Sequence, residues 1–199
     1  MKNQNSSNLL KKSSLLALFA FVPLLAQAHH LPGESNGFTS GINHPIHGLD
    51  HILAMVAVGL WAAQLGGRAI WMVPTAFISL MTLGGALGMT GMHLLMVEAG
   101  IMASVLVLGL LITASARLPL IASMAIVGVF ALFHGFAHGA EMPSAASGVS
   151  YGLGFVVATA ALHACGLGFG MMAQKRATTP FVRFAGAAIA VTGVCLWLA

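Results

Sequence analysis

The sequence predicts an all-α, multi-pass membrane protein with six transmembrane helices after a cleavable leader, and three observations carry that reading. The chain is 58% hydrophobic and only 6% charged over 199 residues, with a mean hydropathy of +0.94, which is too apolar for a water-soluble domain. After the leader, its apolar residues fall into six runs, each long enough to cross about 30 Å of hydrocarbon as a helix. No alternating strand pattern is present, so helices are the way to satisfy the backbone in lipid. The basic residues beyond the leader occupy alternate turns between these runs, as a fixed orientation in a membrane requires.

The leader comes first. Lys2, Lys11 and Lys12 precede an apolar run over 15–25, and Ala26-Gln27-Ala28 supplies a small-x-small cleavage site. Residues 1–28 read as a secretory signal peptide, 29–43 as a periplasmic N-terminal tail, and 44–199 as the six-helix transmembrane domain. Removing the three leader lysines from the eight basic residues leaves five against four acidic ones, so the mature chain is nearly neutral at +1. The pI near 9.6 therefore gives no footprint for nucleic acid, and the remaining basic residues form no stripe. Cleavage would place a free α-amine on His29 beside His30, a pair able to hold a transition metal.

The six segments are expected over 45–64, 70–89, 94–114, 118–139, 149–171 and 181–198. Pro45 suits a first helical turn, where a missing N–H costs nothing, and makes His44 the residue just outside the helix. Arg68, Arg117, Lys175, Arg176 and Arg183 all fall in the turns that the signal peptide places inside, which puts both mature termini in the periplasm of a bacterial inner membrane. Gly84 and Gly88, and Gly166 and Gly170, have the small-xxx-small spacing of close helix packing. Cys165 and Cys195 lie inside apolar runs and read as small core residues rather than a disulfide. No GxxxxGK[ST] loop occurs, so ATP-dependent energy would have to come from another subunit.

Polar chemistry is concentrated in two stretches. His44, His47, Asp50 and His51 lie within eight residues; at about 100° per residue the three imidazoles span roughly 60° of one helical face, with Asp50 about 60° beyond His47. His134, His138 and Glu141 recur at i, i+4 and i+7, a second stripe on one face. Both stretches, with His93 and Glu98, fall at outer ends of their helices; His163 lies deeper. Ionisable groups in a membrane cost about 2.5 to 3.5 kcal/mol each on insertion scales, so two such clusters in so apolar a chain point to a metal site. Imidazole and carboxylate suit nickel, cobalt, zinc, iron(II) or manganese, and the lack of clustered thiolates argues against copper(I).

At these stretches the sequence resembles the HupE/UreJ family of nickel and cobalt permeases, whose HxxxxxDH and FHGxAHGxE motifs match His44 to His51 and Phe133 to Glu141 without departure. The resemblance implies divalent metal uptake, nickel or else cobalt, for hydrogenase or urease maturation, with a cytoplasmic metallochaperone as a partner and no required cofactor. By matching position it implies metal-binding roles for His44, Asp50, His51, His134, His138 and Glu141. His47, His93, Glu98, His163, His29 and His30 join as candidates from chemistry and topology alone. The residues by themselves leave open a zinc-dependent intramembrane hydrolase and a metal sensor that conducts nothing.

Overall fold

The structure, a computed structural model, describes residues 37–142, 146–175 and 179–198. The signal peptide, His29, His30 and Arg176 lie outside the described residues. The described chain is all-helical: α1 (Gly37–His47), α2 (Leu49–Leu65), α3 (Ala69–Gly88), α4 (Val97–Ala114), α5 (Leu120–Ala140), α6 (Gly148–Lys175) and α7 (Thr179–Leu198). Five of these, α3 to α7, are each long and apolar enough to cross a membrane. α1 and α2, which meet at 84°, pass the same test only when the bent pair is taken together as one span.

That bend corrects the expected start of the first span. Pro45 lies inside α1 rather than opening a helix, and the break falls at Gly48, which caps α2 with φ −91° and ψ 115°. Tertiary packing overrides the local signal. Gly41 of α1 and Gly154 of α6 bring the two backbones so close that a methyl group at Gly41 would run into the Tyr151 carbonyl, and one at Gly154 into that of Phe38. Helical structure therefore extends back to Gly37, into the stretch expected to be a tail.

α2 is the central helix. From Ala54 to Ala63 every residue is buried except Val56, because α3, α4, α6 and α7 all pack against it. An apolar helix without a polar face suits such a position, as it also suits lipid. The outer faces of the bundle expose Trp71, Ile121, Val149 and Phe184, an apolar surface suited to lipid rather than water. Cys165 also departs from expectation: it is exposed on α6, and only Cys195 is partly buried.

The end of the bundle away from the histidine motifs is closed by side chains that donate to backbone carbonyls in the last turns of α2 and α4 and just beyond α4. Gln64 Nε2 donates to the Ile112 carbonyl at 3.1 Å, Arg183 Nε to that of Thr113 at 2.8 Å, Trp61 Nε1 to that of Ala116 at 3.1 Å, and Gln174 Nε2 to that of Ala63 at 2.6 Å. Arg68 and Arg117 lie in the turns at this same end. Gly66 and Gly67, at φ +70° and +53°, make the tight reversal from α2 into α3 that residues with a Cβ resist.

Candidate metal centre

The two histidine stretches converge at one end of the bundle, although they are 90 residues apart in the chain. α1 ends at His47 and delivers His44; α2 begins at Leu49 and delivers Asp50 and His51; α5 delivers His134 and His138 in its last turns, with Glu141 as its C-cap. Gly135 and Gly139 make this possible. A methyl group at Gly135 would meet the Met81 carbonyl, and one at Gly139 the Gly85 carbonyl, so both motif glycines let α5 press directly onto α3. With α3 on that side, the two imidazoles face α1, α2 and α6.

Two overlapping triads result. His51, His134 and His138 each offer a ligand atom within 4.8 Å of the others, and so do His44, His138 and Glu141. Tetrahedral coordination at about 2.1 Å separates neighbouring donors by roughly 3.4 Å, so small ring rotations close either set on one ion. His138 belongs to both. Its ring lies 4.5 Å from that of His44 and 4.3 Å from that of His51, centre to centre. The triads also differ in depth: Glu141 is half exposed and His44 mostly covered, whereas His138 and His134 are fully buried.

Hydrogen bonds set which nitrogen each inner ring offers. Asp50 Oδ1 accepts from His51 Nδ1 at 2.8 Å, which leaves the lone pair on Nε2, buried and without a hydrogen-bond partner. Ser104 donates its single hydroxyl proton to the Ile101 carbonyl at 2.6 Å. It can only accept from His134 Nε2 at 2.9 Å, so the lone pair is on His134 Nδ1, also buried and unpartnered. Neither nitrogen of His138 has a hydrogen-bond partner. Unsatisfied buried polar atoms cost about 1 to 3 kcal/mol each, and here they sit together with their lone pairs free. A carboxylate behind a ligating imidazole is the usual way proteins fix its tautomer and raise its basicity. Asp50 stands in that position toward His51, beside its expected role as a ligand.

Other candidates are placed differently. His47 is exposed and its Nδ1 donates to the Asn43 carbonyl at 2.7 Å, and His93 is exposed in the turn after α3; neither enters a triad. The bend removes the common face on which His47 and His51 were expected. Glu98, in the first turn of α4, lies within electrostatic reach of Asp50, His51 and Glu141 without joining a triad. His163 is buried deeper on α6. A groove of about 540 Å³ between α3, α5 and α6, lined chiefly by Met81, Met89, Tyr151 and Phe155, reaches His138 from the side. Glu141 and His44 form the end-on approach, with Nε2 and Oε2 3.3 Å apart.

A family model described as HupE / UreJ protein matches residues 16–196. Protein HupE of Rhizobium leguminosarum bv. viciae is 43% identical over 188 residues, covering 94% of this chain and 98% of that protein. No solved structure matches the chain.

Proposed function

The chain belongs to the HupE/UreJ family, and from that premise we propose that it carries a divalent transition-metal cation, nickel or else cobalt, inward across the bacterial inner membrane. The observation that carries this reading is the sharing of His138 between two triads of different depth. A hydrated cation meets Glu141 and His44 first, where a carboxylate offsets its charge. It exchanges waters for imidazoles as it moves onto His138, then onto His51 and His134. A closed cage would trap the ion; a shared ligand lets one set form as the other opens. Asp50 supplies a negative charge behind His51, so the inner triad need not hold a dication with neutral donors alone.

The cargo serves the maturation of a nickel enzyme such as hydrogenase or urease, with a cytoplasmic metallochaperone as receiver. The protein acts as a transporter and performs no chemical conversion. Purified protein in sealed liposomes tests this. Nickel or cobalt influx above that of protein-free vesicles is expected, with influx abolished in His138→Ala. Unchanged influx in that variant would falsify the pathway, and metal-dependent cleavage of lipid without influx would make the protein a hydrolase.

A further inference from the structure

Below the two triads, α6 presents Tyr151, Phe155, Thr159 and His163 at four-residue intervals, about 6 Å apart along one face. Each meets a different layer. The Tyr151 ring lies 6.2 Å from that of His44, and Phe155 lies 4.2 Å from His138. Thr159 Oγ1 donates to Met81 Sδ at 3.6 Å, and His163 meets Phe77 edge-on at 5.1 Å. The face thus descends from the exposed end into the middle of the bundle.

Phe77 is fully buried and has a histidine on either side. Its ring is 5.9 Å from His134 above and 5.1 Å from His163 below. His163 is itself buried, and both of its ring nitrogens lack a hydrogen-bond partner. The backbone there is locked, because the His163 carbonyl lies hard against Gly59 of α2. An imidazole left unsatisfied at this depth costs folding free energy that a leucine of similar volume would not. It persists where something binds it.

We propose that His163 is an inner station for the transported cation, reached from the outer triads past Phe77, with the Thr159 hydroxyl and Met81 thioether as donors on the way. The proposal rests on the uptake reading of the outer triads and extends it inward. Asp50, Glu98 and Glu141, the carboxylates of the described residues, all stand at the outer end. The inner station therefore has neutral donors, and these hold a dication less firmly than a site backed by Asp50. A weaker site below a stronger one allows the ion to leave. The face of Phe77 offers an electron-rich surface during the passage between them.

Cobalt influx into liposomes and equilibrium cobalt binding, measured on the same preparations, test the proposal. His163→Leu should lower influx about tenfold or more while leaving cobalt affinity at the outer triads within about twofold, since the two sites share no ligand. His163→Gln, which keeps polarity but removes the imidazole, should behave alike; thermal unfolding selects the folded variant to be read. Influx within about twofold of wild type in a folded variant overturns the inner station. So does a loss of influx with an equal loss of cobalt binding, which would make His163 a support of the outer triads. His138→Ala run alongside separates the two levels: if it still conducts, the uptake reading itself fails, whatever His163 does.

Discussion

Ser104 carries no charge, yet it decides which nitrogen of His134 faces the other imidazoles. Its hydroxyl proton is committed to Ile101, so it holds the proton of His134 on Nε2. Ser104→Ala should weaken cobalt binding about tenfold to a hundredfold, with Ser104→Thr restoring much of it; equal affinity in the alanine variant would remove the serine from the site. His44, His51, His134, His138 and Glu141 were legible in the sequence because so few polar groups interrupt its apolar runs. Ser104 was not, since Ser79 and Ser123 sit in similar apolar surroundings and only the tertiary approach of α4 to α5 distinguishes it. His47 stands outside both triads for the opposite reason. Its spacing from His51 matches one helical turn, and the break at Gly48 makes that spacing meaningless.

The helices meet through glycine, and the motif glycines of α5 belong to this packing as much as to metal chemistry. Gly135→Leu should force α5 away from the Met81 carbonyl and lower stability by about 1 to 3 kcal/mol or more. Gly152→Ala on α6, where an added methyl group meets nothing within 4 Å, should be neutral or stabilising by up to about 1 kcal/mol. Thermal unfolding in detergent compares the two, and equal effects would sink the packing account. Five of the six spans were legible from apolar run length alone. The first was half legible: its apolar part is α2, but α1 contains glycine, serine and asparagine and is helical because it lies on α6. Gly48 adds a constraint of its own, since a Cβ there would come within 2.7 Å of His51 Nδ1 and 2.9 Å of Asp50 Oδ1.

At the scale of the molecule, the two ends of the bundle differ in chemistry. One gathers imidazoles and carboxylates; the other carries Arg68, Arg117 and Arg183 over a layer of capped carbonyls. This asymmetry was legible, because the four crossings from the start of α2 to the end of α5, an even number, return the chain to the same side. If the arginine end is cytoplasmic, a thiol at Leu95, which is 84% exposed, should react with an impermeant reagent added outside. One at Arg117 should not, both tested after Cys165 and Cys195 are replaced by alanine. Reversed labelling would turn the proposed uptake into export.

The central position of α2 also bears on how the protein is made. It is the first of the described spans to be synthesised after α1, yet α6, against which much of its surface rests, ends roughly 110 residues later, a delay of about 5 to 20 s at ordinary translation rates. His51 and Asp50 lack α5 until about 75 residues after α2 ends, and the small residues of α2 wait the whole interval for α6. The helix waits in lipid with its polar end uncovered until α5 arrives. The two triads therefore cannot form before α5 and its C-cap Glu141 have been made, and a nascent chain stopped short of α5 holds its first motif without holding a site.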